Sequence, residues 1–137
     1  MTISTAGVAE KDGRFLVALR RPGTSIGEKW EFPGGKVDEG ESPKEALQRE
    51  FREEFSVDVR VGELMCTGTF KNRQAEYRLQ GYRVHVISDS FLLKEHQKIR
   101  WCTVSELQDL PMAESDKIIL RCIEHEYKES SESEAPE

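Results

Sequence analysis

The residues Arg49-Glu50-Phe51-Arg52-Glu53-Glu54 bring the acidic side chains of this chain together in a form that could do chemistry. In a helix, Glu50, Glu53 and Glu54 stand at i, i+3 and i+4, which puts three carboxylates on one face within about 5 to 6 Å of each other. At an effective dielectric of about 20, two such charges roughly 5 Å apart repel by on the order of 3 kcal/mol, so a hard divalent cation is the natural partner. Ligands that are all oxygen favour Mg²⁺ or Mn²⁺ over zinc. The competing reading is a solvated face with Arg49 and Arg52 as ordinary ion-pair partners.

The elements around this face follow from capping and periodicity. Ser42-Pro43-Lys44-Glu45 is a capping box with proline at the first helical position, which starts the helix just after Gly40-Glu41. Ala46, Leu47 and Phe51 form its apolar stripe, and Phe55-Ser56-Val57 leads out into a strand. Upstream, Trp30-Glu31-Phe32-Pro33-Gly34-Gly35 places two glycines where backbone can approach a ligand or metal. Residues 4–8 and 15–20 are expected to be strands of an N-terminal hairpin split at Lys11-Asp12-Gly13, with Leu16-Val17-Ala18-Leu19 buried on both faces. Residues 57–69, 77–87 and 99–104 are further strands, Thr103-Val104-Ser105-Glu106 caps a short helix, and a last helix covers 115–127. Strands flanking one central helix make this an α/β fold, a sandwich around a mixed sheet.

At 137 residues with 34% charged, the chain fits one domain, expected to span 1–127 and to be followed by an acidic, disordered tail over 128–137. A net charge of −6 offers no broad basic surface, which argues against a long nucleic acid partner. No long apolar run or leader pattern stands out, so the expected location is the cytoplasm without a membrane. Cys66, Cys102 and Cys122 are odd in number and widely spaced, so they are expected to be packed thiols rather than a disulfide framework or zinc site. His85, His96 and His125 lie on different segments and are given no catalytic role.

Residues 35–57, GKVDEGESPKEALQREFREEFSV, resemble the Nudix box, G-x5-E-x7-R-E-U-x-E-E-x-G-U with U a bulky apolar residue. Gly35, Glu41, Arg49, Glu50, Phe51, Glu53, Glu54 and Val57 fall on its positions, and Ser56 stands where the family has glycine. The resemblance implies an α/β/α Nudix sandwich with a catalytic loop-helix-loop. It implies Mg²⁺, with Mn²⁺ as the substitute, held by Glu50, Glu53, Glu54 and the Gly35 carbonyl. Glu50 or Glu53 would take a proton from water, Arg49 would orient the carboxylates, and Glu41 would hold Arg49. Similarity to MutT-like members extends over most of the chain. By that likeness Glu95 is a further metal ligand, Arg21 contacts phosphates, and Glu114 meets the base edge, with Phe32 and Gly34 also on the substrate side. Phe70 and Tyr77 are alternative stacking surfaces, and Asp116 or Ser115 is expected to cap the last helix.

The implied activity is hydrolysis of a nucleoside triphosphate to the monophosphate and pyrophosphate. An oxidised purine such as 8-oxo-dGTP is the first substrate, with a role in nucleotide-pool sanitation and hence DNA repair. CTP or another pyrimidine triphosphate comes second, and other nucleoside diphosphate derivatives remain within the family's chemistry. The alternative of another class is a regulatory domain that binds a nucleotide without hydrolysing it. The protein is expected to act as a monomer or homodimer.

Overall fold

Alternation along the second strand shows how the molecule is layered. In the computed structural model, which describes residues 1–22, 28–88 and 90–133 with side chains as far as Lys128, β1 (Thr2–Lys11) turns into β2 (Arg14–Arg20). Phe15 and Val17 pack in one core cluster and Leu16 and Ala18 in another, so the sheet is covered on both faces. The first cluster includes Ile119 and Ile123; the second includes Leu47, Phe51 and Phe55.

Two short strands, β3 (Trp30–Glu31) and β4 (Gly34–Lys36), precede α1 (Pro43–Phe55). The long antiparallel pair β5 (Val59–Asn72) and β6 (Ala75–Val86) follows, then β7 (His96–Cys102), α2 (Val104–Gln108) and α3 (Glu114–Ser133). The sheet has seven strands in the order β3-β2-β1-β6-β5, with β4 added on β1 and β7 on β2. Since β1 runs parallel to β6 and antiparallel to β2 and β4, the sheet is mixed, the α/β arrangement expected from sequence.

Three differences from the sequence reading have physical causes. The strands β3 and β4 are too short for periodicity to reveal, and they form because β2 and β1 offer unpaired edges to them. The last helix runs to Ser133, well into the segment expected to be a disordered tail, because propagating a formed helix costs far less than nucleating one; residues 134–137 lie outside the described ones. Cys66 and Cys122 form a disulfide, with Cα atoms 6.1 Å apart, so the expectation of packed thiols holds only for buried Cys102. The partners are 56 residues apart in sequence and meet only because α3 packs on β5. No helix among the described residues is long and apolar enough to cross a membrane.

Candidate active site

The acidic helix α1 begins at its capping box. Ser42 Oγ accepts from the Glu45 N–H at 3.1 Å and the Glu45 carboxylate accepts from the Ser42 N–H at 2.9 Å. Ala46, Leu47, Phe51 and Phe55 are buried, which turns Arg49 and the glutamates toward the preceding loop. The helix ends at Ser56 with φ 56° and ψ 36°. Serine thus adopts the left-handed exit that the family's glycine would provide, at a cost of about 1 kcal/mol.

Arg49 gathers the loop and the helix face. Its Nε and Nη2 donate to both oxygens of Glu41 at 2.8 and 3.0 Å, a forked pair that fixes the guanidinium plane. Nη1 donates to Glu50 at 3.0 Å and to Glu53 at 3.2 Å, and Nη2 also reaches the Lys36 carbonyl at 3.1 Å. The hydrogen bond from Arg49, followed by the Asp38 N–H, holds the Glu41 carboxyl below its ordinary range. A Cβ at Gly35 would lie 2.6 Å from the Glu50 carboxylate carbon, so any side chain there would displace the Glu50 carboxylate. The Gly35 carbonyl, expected to face a cation, accepts from the Thr5 hydroxyl at 2.9 Å.

The three helix glutamates are not equivalent. The Glu53 side chain is 60% exposed and that of Glu50 14%. Glu54 Oε2 is buried with no hydrogen-bond partner among the described residues. Burial, then the adjacent Glu50 carboxyl, push the Glu54 carboxyl up to about 9. A divalent cation at Glu54 fits this arrangement, because it would give the orphan oxygen a partner and let the carboxyl ionise. Donor atoms of Glu31, Glu54 and His96 lie within 4.8 Å of one another at this point. The loop carrying Glu95 docks beside it: the Leu92 N–H donates to the Phe55 carbonyl at 2.9 Å and the Lys94 N–H to the Glu54 carbonyl at 3.2 Å. Glu95 itself is exposed.

A pocket opens next to the glycine pair, with Thr5, Arg20, Glu31, Phe32, Gly34 and Asp116 in its wall. The buried Asp116 Oδ1 accepts from the Phe32 N–H at 2.9 Å, and burial followed by the charge of Glu31 push its carboxyl up to about 8. That shift favours the protonated form of Asp116 near neutral pH, while Glu31 accepts from Arg20 Nε through Oε1 and lies 2.9 Å from His96 Nε2 through Oε2.

Among the substrate-side residues expected from sequence, Phe32 and Gly34 line this pocket. Arg21 is exposed past the end of β2, and it is Arg20 that reaches the pocket. Glu114 pairs with Lys117 at 3.3 Å and faces a separate groove with Lys29 and Phe70. The acidic group that α3 sends into the pocket is Asp116, two residues on. Phe70 and Tyr77 stack on each other, centroids 5.2 Å apart. Sequence reasoning missed Arg20, Glu31 and His96, and saw Asp116 only as a cap. The signal for Glu31 was its place beside the glycine pair; nothing local distinguishes His96.

This arrangement matches known proteins. The NUDIX domain family matches residues 2–122, so the chain belongs to the Nudix family of hydrolases. It is 33% identical over 111 residues to a CTP pyrophosphohydrolase of Escherichia coli (strain K12), covering 81% of this chain and 82% of that one. It is 32% identical over 123 residues to a putative 8-oxo-dGTP diphosphatase 2 of Mycobacterium tuberculosis (strain ATCC 25618 / H37Rv), covering 84% and 82%. Among solved structures, the E. coli ORF135 protein superposes with a TM-score of 0.78 at 33% identity, covering 91% of this chain and 89% of that one. A MutT protein from Methanosarcina mazei Go1 shares the fold with a TM-score of 0.80 at 24% identity, covering 94% of each chain.

Proposed function

We propose that this protein is a divalent-cation-dependent nucleoside triphosphate pyrophosphohydrolase that releases the monophosphate and pyrophosphate. The observation that carries this reading is the junction at Glu54. There the Arg49-ordered acidic face meets a pocket whose wall holds Glu31, bonded by Arg20, and the buried Asp116.

Glu50, Glu53 and Glu54 would hold Mg²⁺ or Mn²⁺, with Glu95 at the edge of the same site. The bound cation would neutralise phosphate oxygens and lower the pKa of water. Arg49 orients the carboxylates, Glu41 fixes Arg49, and the solvent-facing Glu53 takes the proton from the attacking water. Arg20, with Arg21 beside it, lies where phosphates would enter.

In the base pocket Glu31 accepts a hydrogen bond and protonated Asp116 donates one, a combination that suits the N7–H and O6 of an 8-oxoguanine or the N4 amine and N3 of a cytosine. The first substrate is an oxidised purine triphosphate such as 8-oxo-dGTP, in nucleotide-pool sanitation in the cytoplasm, with the protein a monomer or homodimer. CTP is the second reading, favoured by the identity to the E. coli CTP pyrophosphohydrolase over most of both chains.

The test is pyrophosphate release from 8-oxo-dGTP, dGTP, CTP, dCTP and ADP-ribose, each with Mg²⁺ and with chelator. Release that needs the cation and favours 8-oxo-dGTP or CTP is the expected result. AMP from ADP-ribose with silent triphosphates would overturn the substrate class, and silence throughout would overturn the activity.

A further inference from the structure

His96 is the most deeply enclosed titratable side chain near the site, 2% exposed, and no expected chemistry uses it. Its ring stacks on Phe55, the last residue of α1, with centroids 5.1 Å apart and planes at 18°. Its Nε2 lies 2.9 Å from Glu31 Oε2. A carboxylate only accepts, so Nε2 carries the hydrogen and donates it. The other oxygen of Glu31 takes Arg20 Nε. Arg20 and His96 are register partners on β2 and β7, while Glu31 comes from β3 across the opposite edge of β2. Three strands and the end of the catalytic helix thus converge on one carboxylate in the pocket wall.

Glu31, Glu54 and His96 also have the spacing of a cation site. The contacts favour a different role. Each Glu31 oxygen already serves Arg20 or His96, so an ion at this trio would compete with those two bonds. A carboxylate has about four acceptor positions, so two remain on Glu31 for a ligand in the pocket.

We propose that His96 is a positioning residue for nucleobase selection: by donating to Glu31 while braced on Phe55, it fixes the acceptor against which the base is read. This rests on the reading that the pocket takes the base of a nucleotide. His96 does not touch substrate, so its loss acts on discrimination between bases rather than on the chemical step.

His96→Phe keeps a ring against Phe55 and removes the donor, and His96→Gln restores an amide donor. Glu31→Gln keeps the side chain's volume and reports on the same pair if His96→Phe does not fold. Each full-length variant is assayed with Mg²⁺ on the triphosphate panel, and binding of the same nucleotides is measured calorimetrically in Ca²⁺, which needs no turnover.

In His96→Phe, KM for the preferred nucleotide should rise about tenfold, the scale of one hydrogen bond to a charged group, with kcat within about twofold. Preference over the next base should fall by a similar factor, His96→Gln should recover most of it, and Glu31→Gln should lose it without further loss in the double variant. A drop in kcat shared by every nucleotide, with ratios unchanged, would overturn the proposal. So would ¹⁴N modulation in the electron spin echo of the Mn²⁺-loaded wild type that is lost in His96→Phe, which would make His96 a ligand. If the wild type turns over no triphosphate, the proposed function fails, and the Ca²⁺ binding ratios still decide the role of His96.

Discussion

The acidic helix face and the pocket beside the glycine pair both use an arginine to order carboxylates, yet they treat charge in opposite ways. On the helix face Arg49 sits near solvent and bonds Glu41, Glu50 and Glu53, so several charges share one cation at modest desolvation cost. In the pocket Arg20 and His96 both serve Glu31, and Asp116, buried without a cation of its own, keeps its proton. The lesson is that the count of carboxylates says little until burial decides which of them ionise. Glu54 belongs to both regions: it lies on α1 with Glu50 and Glu53, and its buried carboxyl joins Glu31 and His96.

Breaking the helix face should cost most. Glu53→Gln is expected to lower kcat by about 10²–10⁴-fold, the range of a lost general base, while leaving the melting temperature almost unchanged because that side chain is largely exposed. Steady-state kinetics and thermal melts on one preparation check both halves. A fully active variant would remove Glu53 from the machinery.

Next in size is the staple behind the pocket. The disulfide ties α3, which carries Asp116, to β5, so Cys122→Ser should destabilise the fold by about 2–4 kcal/mol in urea titrations. The comparison sharpens if KM rises in that variant while kcat, governed by the helix face, holds.

Those two outcomes correspond to what could be read from the sequence. The helix face was legible because its parts are local: a capping box, an i, i+3, i+4 triad and a glycine packed against Glu50. The pocket was not, because Arg20, Glu31 and Asp116, with His96 behind Glu31, come from β2, β3, α3 and β7 and meet only through strand register and helix docking. Glu114 was the acidic residue expected at the base, but the helix phase turns it outward to Lys117 and sends Asp116 inward. The disulfide escaped for the same reason, since a long sequence separation hides which cysteines pack together.

A smaller effect separates the regions by pH. The folded-state pKa of Glu54 is raised from 4.5 to about 9 and that of Asp116 from 3.8 to about 8, so the folded state binds more protons than the unfolded one between these limits. Their contribution is fully present below about pH 4 and is lost as pH rises through 8 and 9. In chelator, the melting temperature should fall by roughly 5 °C or more from pH 6 to pH 9. Mg²⁺ should offset the part due to Glu54 and leave that of Asp116. A pH-independent melting temperature in chelator would contradict both assignments.

The smallest expected change is at the helix exit. Ser56→Gly relieves a left-handed serine and should stabilise the protein by about 1 kcal/mol or less, read as a small rise in the urea midpoint with unchanged kinetics. No change or a loss would mean that the serine side chain offsets its backbone cost.

The central claim is that the acidic face binds its divalent cation through Glu54, whose carboxyl is raised by burial to about 9. Calorimetric titration of Mg²⁺ into chelator-stripped protein at pH 7, repeated in buffers of different ionisation enthalpy, measures the protons released per ion bound. Close to one proton per ion in the wild type, and none in Glu54→Gln, is the result expected from a carboxyl raised to about 9. Binding without proton release, or no binding at all, would contradict it.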